Sequence, residues 1–387
     1  MKTTVTLAVA ILLASGTAWA QDFQVGARAK GMGGSYTAFE DDPTSIWMNP
    51  AGIATQSVQL GIAYQAYTQY EFDFERTDSL GDPETGLINP QILPSFLGVV
   101  YQLGTPEQPF AFGFAYVRPV QLTMTYDDTP GDGIKVASDI ADQQFSRLRF
   151  GFAYDFRLRA PGEAGFLPHI AIGAGLDIAY TVYQLNSGTP DTGTAWGGGV
   201  GILIGLYDNT ESFKIAVGAA LQSQAVFNWQ RDTTDNPSWD WPAMWSAGVT
   251  IYLLSGMPLR MTVDVQAVDW ENAAEGSGQP GLDPFRSVMN ISFGMEYRMK
   301  LREDGSLLLY PRLGFRKVEA PWDDEDRLPA FGLPQLSIDT KAAEFSIITF
   351  GFGLYWTTAD GKSRGVDLGV EFGGDSPTFA FGYNHEF

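Results

Sequence analysis

Few side chains in this 387-residue chain are equipped for bond-making chemistry. There is no Cys, so a thiolate nucleophile, a disulfide and a thiolate metal site are all excluded. The two histidines are His169 and His385, and neither a G-x-S-x-G elbow nor an H-E-x-x-H pair occurs. Without such partners neither nucleophilic nor general-base catalysis has a foundation. The chain therefore reads as a non-enzyme with no cofactor and no metal. What it does offer is a scattered set of cations, Arg147, Arg149, Arg157, Lys214, Arg260, Arg298, Arg312 and Arg316. Interleaved with them are Asp155, Asp177, Asp264, Glu296, Asp367 and Glu371. A guanidinium fork matches a carboxylate, so these cations are candidate ligand contacts, with most expected to pair with the neighbouring acids.

The elements that carry these charges alternate. In 146–158, Leu148, Phe150, Phe152, Tyr154, Phe156 and Leu158 form one row, and Arg147, Arg149, Gly151, Asp155 and Arg157 form the other. In 365–372, Val366, Leu368, Val370 and Phe372 oppose Asp367, Gly369 and Glu371, and 58–70 behaves the same way. FGFAY occurs at 112–116 and again at 150–154, with aromatics on one face and Gly or Ala on the other. This is the period of a strand. A soluble sandwich also alternates, but the segments here run to about 10–16 residues, enough to cross a bilayer at a tilt and longer than common soluble strands. Short and long connections alternate between them. The pattern predicts an all-β, transmembrane antiparallel barrel of about 14 strands running from 57–71 to 377–387. Gly61, Gly113, Gly151, Gly173, Gly175, Gly218, Gly351 and Gly353 fall on the inner row and leave room in the lumen.

Composition agrees. Aromatics make up 13% and charged residues only 18%, while 45 acidic against 24 basic residues repel phosphate backbones and exclude nucleic acid as a partner. Lys2, the apolar run 5–14 and Ala18-Trp19-Ala20 predict a signal peptide over 1–20, cleaved before Gln21. No later apolar run approaches the ~20 residues of a spanning helix. The expected location is a bacterial outer membrane, with lipid and lipopolysaccharide around a monomer. The ending FAFGYNHEF resembles the C-terminal strand by which such barrels are recognised for assembly. Tyr70, Trp229, Trp245, Trp270 and Trp356 are expected in an interfacial girdle. The acidic runs Asp127-Asp128 and Asp323-Asp324-Glu325-Asp326 match no calcium-loop spacing and read as solvated loops.

One segment does not alternate. Residues 26–54, within an N-terminal unit of 21–55, are rich in Gly, small residues and turn formers. The segment is expected to plug the barrel formed by 56–387. Its Gly31-Met32-Gly33-Gly34, Ala38, Asp41-Asp42 and Asn49-Pro50-Ala51-Gly52 resemble the FadL/TodX family of outer-membrane transporters, whose NPA motif lies between signal and first strand. Fainter echoes follow around Pro94, over 197–224 and at Val268-Asp269-Trp270. The opening is equally similar to the barrel proteins of type IX secretion. The first resemblance implies a 14-stranded barrel closed by a hatch, with a hydrophobic ligand such as a long-chain fatty acid passing by diffusion and leaving sideways through the wall. Asn49, Pro50, Ala51 and Gly52 would form the gate. The second implies a secretion-associated or structural barrel that binds protein partners.

Overall fold

The computed structural model describes residues 24–39, 41–67, 70–74, 84–88, 91–105, 108–127, 140–160, 163–185, 189–209, 212–230, 240–255, 258–275, 286–319, 328–329, 337–338, 344–373 and 377–387. The leader at 1–20 and the acidic run 323–326 lie outside these residues, as does Asp128.

Fourteen long strands make the wall: β1 Gln59–Tyr67, β2 Gln91–Thr105, β3 Gln108–Asp127, β4 Ile140–Arg157, β5 Gly165–Leu185, β6 Asp191–Asn209 and β7 Phe213–Gln222, then β8 Ala243–Leu253, β9 Leu259–Asp269, β10 Val288–Tyr297, β11 Leu307–Glu319, β12 Glu344–Thr357, β13 Ser363–Phe372 and β14 Thr378–Glu386. Each pairs antiparallel with the next. β1 pairs with β2 on one side and with β14 on the other, from Gln59/Glu386 to Tyr67/Thr378. The sheet is thus a closed antiparallel barrel, and closure removes the edges that would recruit other chains. The connections at the Gln59/Glu386 end are short, and the long ones lie at the other end.

Alternation places the two rows as the sequence predicts. On β4 the outward Phe152 is 53% exposed, while the inward Arg147 and Arg149 are 2% and 0% exposed. Phe112, Phe114, Leu176, Val263, Phe315 and Phe352 continue the exposed apolar face around the wall. In water such a surface would aggregate; in a bilayer it is the lipid-facing band of a transmembrane barrel.

Two expected girdle residues turn inward. Trp229 and Trp270 pack on a buried cluster that includes Phe145, Phe227 and Trp241. A girdle position for Trp229 needs a strand that reaches it, and β7 stops at Gln222. Beyond it, Ala225 bridges to Trp241, and only 228–230 return to pair with β6. Leaving the ladder resets which side chains face the lumen. Trp245 does face outward, as does Trp196, which is 68% exposed.

Candidate functional site

Inside this wall lies the N-terminal segment. It contains α1 Ala27–Gly31, α2 Ser45–Met48 and a 3₁₀ turn over Pro50–Thr55. Gly33 and Gly34 make the reversal after α1 at φ 66° and 79°, a region that favours glycine. Asn49 is extended, as a residue before proline must be, and its side-chain oxygen accepts from the Ala51 N–H. Val25, Met32, Tyr36, Phe39, Ile46, Trp47 and Ile53 are all buried.

A segment this irregular leaves backbone groups without a ladder, and a buried polar group must find a partner. The inward polar residues of the wall supply them. Asp264 accepts from the Tyr36 and Thr37 N–H groups at 2.7 and 2.6 Å, and Thr349 Oγ1 accepts from Gly33 N–H at 2.8 Å. Gln222 donates to the Trp47 carbonyl at 2.9 Å, Gln65 to that of Gln24 at 3.0 Å and Gln102 to that of Ala54 at 3.1 Å. Arg149 donates to the carbonyls of Ile46 and Trp47.

The cations expected in one ligand-facing row fall into three groups. Arg312 and Arg316 belong to an ionic network that fastens the segment to β9–β13. Glu296 receives Arg28 Nε at 3.0 Å, Arg312 Nε at 2.8 Å and Arg260 at 3.3 Å. Arg28 and Arg260 both pair with Asp41, and Arg312 also reaches Asp367 at 2.6 Å. Lys30 and Arg316 share Glu371 at 2.7 and 3.1 Å. Burial pushes the Lys30 ammonium down against the pull of Glu371, and pushes the Asp42 carboxyl up despite Arg28, Thr44 and Tyr36.

Arg147 and Arg149 form the second group. Both bind Asp177, and Arg147 lies over the rings of Trp241 and Trp47 at 4.7 and 5.5 Å. The third group lines the rim at the short-turn end: Arg157 pairs with Asp155, Lys214 with Asp208, and Arg298 is exposed. His169 meets Asp155 at 3.2 Å on the same rim, away from the long connections.

The glycines of the inner row mark where the segment touches the wall. A Cβ at Gly61 would meet Pro43, one at Gly113 or Gly151 would meet Ile46, and one at Gly173 would overlap the Pro50 carbonyl. Gly218 faces Thr37 and Gly351 faces Gly31. Gly175 and Gly353 make room for wall side chains instead, those of Arg149 and of Asp367 with Arg312. Gly369, on the same row as Asp367 and Glu371, faces Ala27, and three further glycines not singled out from the sequence do the same work: Gly201 against Asn49, and Gly294 and Gly314 against Met32 and Gly33. Each sits at an inward position of its strand, and that parity was the signal available.

Asn49-Pro50-Ala51-Gly52 rests on β5 and β6, where the wall is continuous. Asn49 Nδ2 donates to the Thr37 and Ile202 carbonyls at 2.9 and 3.1 Å, and Asn49 is 0% exposed. Asn49→Ala strands both carbonyls and the Ala51 N–H. The expected loss is about 2–4 kcal/mol of docking, read as faster amide exchange over 44–55 with the strands unchanged. Equal exchange in the two proteins would show that the asparagine is not a fastening.

Among the described residues, the wall is interrupted elsewhere. The β2–β3 ladder ends at Phe96/Val117, and β3 is taken up again at Ile88/Met124 by the short strand Glu84–Ile88. Between these points Gln91–Pro94 pair with β1, and the β3–β4 register slips between Val117 and Val120, at Arg118-Pro119. Proline has no N–H with which to mend the ladder. Arg118 Nε donates to the Tyr116 hydroxyl at 2.6 Å, and that hydroxyl meets Ser146 at 3.2 Å. The sequence carried the cue as a proline within an otherwise regular strand.

Among solved structures, a Pseudomonas aeruginosa FadL homologue is similar over 94% of this chain and 98% of its own, with a TM-score of 0.60 at 13% identity. The Ralstonia pickettii toluene transporter TbuX matches over 95% and 99% with a TM-score of 0.59 at 15% identity, and the P. putida toluene transporter TodX over 95% and 99% with 0.58 at 14%. The fold is that of the FadL and TodX channels. No family model and no curated protein sequence matches the chain. In this FadL-like barrel the inner segment fills the lumen and the wall is interrupted beside β3.

Proposed function

We propose that the protein carries hydrophobic small molecules, long-chain fatty acids or related hydrocarbons, across a bacterial outer membrane by passive diffusion. The N-terminal segment acts as a hatch, and the ligand leaves sideways into lipid. The observation that carries this reading is the pairing of a lumen filled by a packed, ion-paired segment with a break in the β2–β3 ladder. A polar solute gains nothing from such a route, whereas an apolar one gains free energy at every step that keeps it from water. Solved structures of the same fold include proteins named as toluene transporters and as monoaromatic hydrocarbon channels, which supports the substrate class. Bound on the inner side, a ligand with an acidic end would meet Arg147, which is 2% exposed and has two guanidinium nitrogens without a hydrogen-bond partner among the described residues.

The test is a titration of the folded barrel in detergent with a fluorescent long-chain fatty acid, with toluene as competitor. The expected result is saturable binding displaced by toluene. Arg147→Ala should weaken the fatty acid about tenfold and leave toluene unaffected, because only the former presents a carboxylate. Absence of saturable binding to both compounds would sink the transport reading and leave the secretion-associated one, with a search for protein partners as its consequence.

A further inference from the structure

A cavity of about 370 Å³ opens at the short-turn rim between the inner segment and β5–β10, remote from the β2–β3 break. Its floor is apolar, with Ala38 of the inner segment beside Leu203 and Tyr252. Its mouth carries Lys214, Arg260 and Arg298. Against these cations stand two acidic side chains of the lining, Asp41 and Asp208. Asp208 is taken by Lys214 at 2.8 Å, and Asp41 is shared between Arg28 and Arg260. Arg298 has no ion pair among the described residues and is exposed at the mouth. Arg260 is held by Glu296 as well, at 3.3 Å, so among the described residues Arg298 is the cation of the lining left without a carboxylate, in a chain whose formal net charge is −21.

We propose that this cavity is a binding site for a small amphipathic carboxylate arriving from the side of the short turns. The carboxylate takes the free fork of Arg298, with Lys214 beside it, and the hydrocarbon body lies on Leu203 and Tyr252. The volume is that of a small-ligand pocket, and its lining, apolar with a few convergent polar groups, is what such pockets share. Bidentate pairing selects a planar carboxylate over an amide of the same shape. The site stands independently of the transport reading, since it uses neither the wall break nor Arg147.

The experiment titrates carboxyl-¹³C hexanoate onto the folded protein in detergent, following the carboxylate resonance, with hexanamide and inorganic phosphate as comparators. Hexanoate is expected to saturate and to bind at least about tenfold more tightly than either comparator. Arg298→Gln is expected to weaken it about tenfold, and Ala216→Phe, which fills the cavity, to abolish it. Arg159→Gln, at an exposed arginine outside the cavity, should change nothing. Heat-modifiable gel migration confirms that each variant is folded; should Arg298→Gln fail to fold, Lys214→Gln replaces it with the same expectation. Hexanoate binding unchanged by the cavity variants, absent altogether, or matched by hexanamide or phosphate overturns the proposal.

Discussion

In planar bilayers the Glu296→Ala protein should open to ions where the wild-type barrel stays closed. Glu296 is 1% exposed and is the carboxylate common to Arg28, Arg260 and Arg312. Its removal leaves three guanidiniums to share Asp41 and Asp367, one of which is itself half solvated. Removing one partner of a buried ionic group costs about 3–5 kcal/mol, because the remaining charge is left desolvated and unmatched. If that cost falls on docking of the inner segment, its undocked population rises by about two to four powers of ten, at 1.36 kcal/mol per tenfold. Amide exchange over 26–39 should accelerate in step with the conductance, while β10 and β11 keep their protection. The exposed Arg159–Glu163 pair is the control, since breaking a surface pair changes stability by about 1 kcal/mol or less. A silent Glu296→Ala barrel with a fully protected segment would show that apolar packing alone holds the plug.

The Gly314→Val protein is expected to keep its barrel and lose the seat of its inner segment. A Cβ at Gly314 would overlap the backbone nitrogen of Gly33 and the carbonyl carbon of Met32, and the chain there cannot retreat. The same Cβ would overlap Thr349 Oγ1, the acceptor of the Gly33 N–H, so the bond that fixes Gly33 is struck as well, and its own φ of 66° leaves no ready alternative. Overpacking of a core costs about 1–3 kcal/mol where side chains can adjust, and backbone adjusts least. Protection of amides over 30–37 should fall at least about tenfold, with heat-modifiable migration of the barrel retained. Leu313→Val, one position along on the lipid face, is the comparison that should leave exchange unchanged. Equal protection in both variants would mean that the segment is not seated on β11.

These two residues show how differently the parts of the molecule were written into the chain. Gly314 is one of several wall glycines whose partners only the fold reveals, and Glu296 was expected to stand beside a ligand row yet is the hub of a plug fastening. Lys214 and Arg298, read from the same alternation, stand at the rim; Trp229 packs on the buried cluster because β7 leaves its ladder early, and Trp270 because a helical turn, Trp270–Glu275, follows β9 at once.

By itself, the sequence determined the wall: fourteen alternating strands of bilayer-crossing length, their inner and outer rows, the short-turn end, and the irregular segment that needed enclosing. All of these depend on a period of two and on turn chemistry, which act between near neighbours. The tertiary structure alone decided which charges meet. Arg28 and Glu296 are 268 positions apart and Lys30 and Glu371 are 341 apart, brought together by barrel closure and by the height at which the segment lodges. It also decided where the wall breaks. Inter-strand register sets the relative heights of side chains on separate strands, and a period within one strand carries no information about register against the next.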